Sequence, residues 1–152
     1  MMRMRPRGVT LIEVLMVVAI MAIVLGFAVP SFSESTARRK LEGVANELAT
    51  DMQYAKSQAA SLSTNVSLVT TANGYSISGA ASIKTVSLDT GVTLTNPITV
   101  TFEPHRSFPD AAATVNLSHP QSSATLRVRV DAVGRVLTCS PGGSFPGYPT
   151  CT

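Results

Sequence analysis

Residues 7–30 read Arg7-Gly8-Val9-Thr10-Leu11-Ile12-Glu13 and then run on as VLMVVAIMAIVLGFAV to Pro30. Three arginines, Arg3, Arg5 and Arg7, precede the run, and a single carboxylate, Glu13, stands near its head. A charge at bilayer depth costs roughly 2.5–3.5 kcal/mol on insertion scales, so a carboxylate kept in a membrane-grade helix calls for a partner. Two opposite charges in low dielectric compensate each other only in a defined register. Glu13 is therefore the first candidate functional residue.

Two plainer readings compete. One is a secretory signal peptide, with a basic start, an apolar middle, and Gly26 and Ala28 spaced like a small-residue cleavage site. Glu13 at the head of the run and the amphipathic helix beyond it oppose that reading. The other is a simple single-pass anchor: Val9 to Val29 covers about 32 Å at 1.5 Å per residue, enough to cross a hydrocarbon core. That reading leaves Glu13 unexplained.

The stretch Arg7-Gly8-Val9-Thr10-Leu11-Ile12-Glu13-Val14-Leu15 resembles the class III signal of type IV pilins and type II secretion pseudopilins. The resemblance implies that a prepilin peptidase removes a leader, residues 1–8, by cutting between Gly8 and Val9. It also implies methylation of the new Val9 terminus, and pairing of Glu13 with the amino terminus of a neighbouring subunit in a filament. The family usually opens its mature chain with Phe, where this chain has Val9.

The chain has 152 residues, enough for one modest domain plus an anchor. Its 12 basic and 9 acidic residues give a net charge of +3. Arg3, Arg5 and Arg7 account for that excess, so the processed chain is balanced and nucleic-acid affinity would require a local cluster. Arg38, Arg39 and Lys40 follow the apolar run closely, which ties the positive-inside count. The only two cysteines, Cys139 and Cys151, lie near the C-terminus and suit an oxidising compartment. A disulfide between them would close a loop of roughly a dozen residues, worth roughly 3 kcal/mol in the chain-entropy model. A metal site there is disfavoured, with no histidine nearby. The expected location is the bacterial inner membrane, single-pass, with a periplasmic C-terminal domain.

Pro30 predicts a kink after the apolar run. Beyond it, Leu41, Val44, Ala45, Leu48, Met52, Ala55, Ala59 and Leu62 recur at the 3.6-residue period of an amphipathic helix. Arg38, Arg39, Glu42, Asn46 and Gln53 fall on its other faces. From Thr64 the pattern changes to period-two alternation. Strands are predicted at Val66–Val69 and Tyr75–Ile77 around an Asn73-Gly74 turn, then Ile83–Leu88, Val92–Leu94, Ile98–Phe102, Thr114–Leu117, Leu126–Val130 and Val133–Leu137. The expected class is α+β: a transmembrane helix over 9–30, its amphipathic continuation over 31–62, and an antiparallel all-β domain over 63–152.

No catalytic constellation is found, and neither a cofactor nor a metal is expected; the chain reads as a non-enzyme. His105 and His119 each neighbour a proline and read as solvated loop residues. Asp110 and Asp131 read as turn residues, and Asp89-Thr90-Gly91 as a turn rather than a calcium loop. The one local charge feature is basic. Arg127 and Arg129 alternate with Leu126, Val128 and Val130 and share one face of a strand. Arg135 follows Asp131, Arg106 could join from a loop, and Phe145 and Tyr148 offer stacking surfaces, which together sketch a platform for DNA. The plainer reading is a solvated sheet face with its arginines paired.

The segment Gly134-Arg135-Val136-Leu137-Thr138-Cys139-Ser140-Pro141 is similar to the GspH/FimT group, in which a long helix meets an all-β domain ending in a Gly-Arg segment and a cysteine pair. That group implies two roles: a FimT-like minor pilin of type IV pili, some of whose members bind DNA for uptake, or a GspH-like pseudopilin of type II secretion. DNA-binding members carry a second arginine where this chain has Leu137. The cysteine-closed tail favours the FimT-like role. The implied partners are other pilins or pseudopilins, the prepilin peptidase and the inner membrane, with DNA as a further candidate.

Overall fold

A computed structural model describes residues 8–88, 91–106 and 108–151, with the backbone alone for residues 27–31. The basic leader through Arg7 and the turn expected at Asp89-Thr90 lie outside the described residues, while Pro30, where a bend is expected, stands within one continuous helix, Leu11–Leu62. The chain divides into two compact units, one up to Ser35 and one from Thr36 onward. Helix α1 (Leu11–Leu62) supplies the first and begins the second.

In the second unit α1 is one-sided. Ala37, Leu41, Val44, Ala45, Leu48, Met52, Ala55 and Ala59 are all buried, at the three- and four-residue steps that place them on one stripe. Glu42, Asn46 and Gln53 stay exposed. The helix stops at Ser63, whose φ of 52° is left-handed. Leu62, expected on the apolar stripe, is instead 52% exposed, because the stripe runs out one turn before the helix does.

Among the described residues eight strands follow: β1 (Val66–Thr71), β2 (Gly74–Ser78), β3 (Ser82–Ser87), β4 (Thr93–Thr95), β5 (Thr99–Phe102), β6 (Ala113–Ser118), β7 (Leu126–Val130) and β8 (Val136–Cys139). They form two antiparallel sheets of order β3-β2-β1-β5 and β4-β6-β7-β8. The predicted Asn73-Gly74 turn joins β1 to β2, with Thr71 opposite Gly74. A Cβ at Gly74 would stand 2.4 Å from the Val86 carbonyl oxygen, so only glycine allows β2 and β3 to approach there. Alternation does the rest. On β7, Leu126, Val128 and Val130 are buried while Arg127 and Arg129 lie on the opposite face.

The inner faces of both sheets and the helix stripe make one core. Val66, Leu68, Ile77, Val100 and Phe102 come from the first sheet, and Val115, Leu117, Leu126, Val128 and Val130 from the second. Removing each large side chain from water contributes roughly 1.5–3 kcal/mol, and four buried alanines on α1 let the helix come close.

The last strand departs from expectation. β8 begins at Val136 rather than Val133, because Asp131 builds a turn first. Its Oδ1 accepts the Val133 N–H at 3.1 Å and the Arg135 N–H at 2.8 Å, and Gly134 takes φ 74°. His119 also departs: it is buried rather than solvated, and its Nδ1 accepts the Gln121 N–H at 3.1 Å.

Candidate functional site

The first unit offers a helix head. Gly8, Val9 and Thr10 precede α1 and are exposed. Thr10 caps the helix, its Oγ1 accepting the Glu13 N–H at 3.3 Å while its carbonyl takes the Glu13 and Val14 N–H groups. Thr10-x-x-Glu13 has the spacing of a capping box, and a carboxylate in the first turn also suits the helix dipole. Glu13 thus has a local structural use that charge counting alone did not suggest. Among the described residues it forms no ion pair.

From Leu11 to Leu25 the apolar side chains are exposed on every side of α1, including Ile12, Leu15, Val18, Met21 and Val24. A helix apolar all round is one that other chains or lipid must cover. Among the described residues no helix is long and apolar enough to cross a membrane. The expected span, Val9 to Val29, runs into residues 27–31, whose side chains lie outside those residues.

The second unit carries the arginines. Arg127 donates from Nε to Asn116 Oδ1 at 2.7 Å, and the two residues are cross-strand partners on the outward face of the β4-β6-β7-β8 sheet. Arg129 lies opposite Leu137 on the same face. Arg135 is committed elsewhere, pairing with Asp131 Oδ2 through Nε at 2.7 Å. The Arg135 backbone N–H, with help from its side chain and the Val133 N–H, holds the Asp131 carboxyl below the usual carboxylate range. Arg106 sits exposed in the β5–β6 connection, outside this sheet.

The aromatic platform expected beside them is absent. Phe145 is buried in the core, and Tyr148 meets it edge-on with ring centroids 5.4 Å apart. The Tyr148 hydroxyl lies 3.2 Å from Glu42 Oε1 and 3.3 Å from Asn46 Oδ1 on α1, so both rings fasten the C-terminal segment rather than offer a stacking face. Cys139 and Cys151 are joined by a disulfide. Beside it lies a cleft of about 150 Å³ lined by Arg129, Leu137, Thr138, Cys139, Pro149, Thr150 and Cys151.

A polar cluster that the sequence reading missed joins the helix to the first sheet. Asp51 is buried within the apolar stripe, and its Oδ2 accepts from the Tyr75 hydroxyl and from Lys84 Nζ, each at 2.6 Å. Lys84 also reaches Glu47 at 3.4 Å. Burial first, then the hydrogen bond to Asp51, pushes the Tyr75 hydroxyl far above its ordinary value. The hydrogen bond to Asp51 likewise raises Lys84. The available signal was spacing: Asp51 stands three residues after Leu48 and four before Ala55, on the buried side.

A capped helix, apolar on every side beyond Glu13 and continuing as an amphipathic one packed on antiparallel sheets, is a pilin-like architecture. Residues 44–134 match the family described as type II transport protein GspH, and residues 3–29 match the prokaryotic N-terminal methylation motif. The chain belongs to the type II transport protein GspH family. In structure it is similar to the type IV minor pilin FimU of Pseudomonas aeruginosa (strain PAO1). The TM-score is 0.59 at 20% identity, over 74% of this chain and 97% of that one, a likeness of fold. No curated protein sequence matches the chain.

Proposed function

We propose that the chain is a minor subunit of a type IV pilus, FimT-like, assembled through its N-terminal helix and acting structurally rather than as an enzyme. The observation that carries this reading is Glu13, the one carboxylate in the first turn of α1, whose apolar side chains from Leu11 to Leu25 are exposed all round. A prepilin peptidase cuts between Gly8 and Val9 and Val9 is methylated. The helix over 9–30 resides in the inner membrane, and the β-domain stands in the periplasm until Glu13 meets a neighbour's amino terminus. The disulfide agrees with an oxidising compartment. The tail it closes favours the pilus over the secretion pseudopilus.

The test is the mature amino terminus. Co-expressed with a prepilin peptidase, the chain should give an intact mass that starts at methylated Val9, and Gly8→Glu should block the cut. Cleavage after Ala28 would make the segment an ordinary secretory signal. Co-purification with a secretion pseudopilus instead of a pilus would reassign the system.

A second reading, DNA held on the outward face of the second sheet, is supported by Arg127 and Arg129 emerging side by side there. Phosphate contacts by two arginines give binding that weakens as salt rises.

A further inference from the structure

The C-terminal segment after β8 is held down by unlike fasteners. Ser140 is fully buried and acts as its hub. Its Oγ accepts the Phe145 N–H at 2.8 Å, its N–H donates to the Pro149 carbonyl at 2.8 Å, and its carbonyl accepts the Cys151 N–H at 3.2 Å. Phe145 plugs the core, and Tyr148 rests on α1 at Glu42 and Asn46. Against these stands a backbone costly to order, with Gly142, Gly143 and Gly147 all at positive φ. The Cys139–Cys151 bond closes this glycine-rich loop, and loop closure is where a crosslink removes most freedom.

The bond is also open to attack. Cys139 is buried but Cys151 is half-exposed, and both line the cleft beside β8. Two cations flank it: Arg127 is the cross-strand partner of Cys139, and Arg129 lines the cleft. Cationic neighbours favour a departing thiolate and so speed thiol–disulfide exchange.

We infer that Cys139–Cys151 is a redox-sensitive latch, which a dithiol reductant opens to release residues 141–151 from α1 while both sheets stay folded. A thiolate of the dithiol attacks Cys151 Sγ, forming a mixed disulfide, and Cys139 Sγ leaves as a thiolate that takes up a proton. The second thiol of the reductant then attacks its own sulfur in the mixed disulfide and frees Cys151 as a thiol. Two electrons pass to the protein, whose one disulfide becomes two thiols as the reductant's two thiols become one disulfide. The released segment uncovers Phe145 and the Glu42–Asn46 face of α1.

The test uses the purified full chain in detergent micelles, with and without dithiothreitol, read by amide hydrogen exchange. Exchange over 142–151 should rise at least tenfold on reduction, with β6 and β7 changing less than twofold. A Cys139→Ser, Cys151→Ser double variant should behave as the reduced chain whether or not dithiothreitol is present. A tail equally protected in the reduced chain would overturn the latch. So would loss of protection in tail and sheets together, which would make the disulfide a staple of the whole fold.

Discussion

Tyr75 donates its phenolic hydrogen to Asp51 at 2.6 Å, tying β2 to the middle of α1 from inside the core. Lys84 shares the same carboxylate oxygen from β3. Asp51→Ala would strand a buried hydroxyl, whereas the partly exposed Lys84 can turn to water and loses little. The expected cost is about 2 kcal/mol, measured by denaturant unfolding. Tyr75→Phe in the Asp51→Ala background should recover part of it.

The same cluster sets a pH response. The Tyr75 and Lys84 values are both raised in the folded chain, so above about pH 10 the unfolded state gives up protons that the folded state keeps. Stability is fully present below the ordinary values and is lost as pH rises from them toward the raised values of the folded chain. Thermal midpoints should therefore fall as pH rises above about 10, and Tyr75→Phe should flatten the fall.

Two glycines should respond oppositely. Gly74→Ala puts a methyl against the Val86 carbonyl, a rigid backbone neighbour, and should cost about 1–3 kcal/mol. Gly43 sits exposed on α1 with open space around it, so Gly43→Ala should stabilise by about 0.5–1 kcal/mol. Equilibrium unfolding of the pair measures both.

The arginines should separate by where they stand. Arg135 lies in the turn before β8, paired with Asp131, whereas Arg127 and Arg129 lie side by side on the outward face of the second sheet. If DNA binds that face, Arg127→Ala with Arg129→Ala should lower affinity at least tenfold and flatten its salt dependence. Arg135→Ala should change affinity less than twofold. A titration at two salt concentrations decides between these arginines, and equal losses from all three would refute the ranking.

What could be read from sequence was local. Alternation placed β1 to β7 to within a few residues, the Asn73-Gly74 turn set the first hairpin, and the stripe from Leu41 to Ala59 marked the buried face of α1. β8 slipped because side-chain bonds from Asp131 outcompete strand pairing over residues 131–135. The misplaced aromatics share one cause. Tyr148 finds its partner on a helix 106 residues earlier, and no local pattern encodes that distance. Asp51 drew no reading from the sequence, because the group that satisfies it, Tyr75, comes from β2. Glu13 stood out because an apolar run makes any charge conspicuous, yet its place in the first turn of a helix capped by Thr10 became visible only with the helix start.

That double use of Glu13 defines the most direct measurement. Glu13→Gln keeps the side chain's shape and its capping ability but removes the charge, while Glu13→Ala removes both. Incorporation of each variant should be measured by quantitative immunoblot of sheared filaments from cells that lack the native copy. Both variants should fall at least tenfold below the unaltered chain, at equal membrane abundance and with Gly8–Val9 cleavage intact. Normal incorporation of Glu13→Gln would contradict assembly through charge pairing and leave Glu13 a residue of the first helical turn with a local role only.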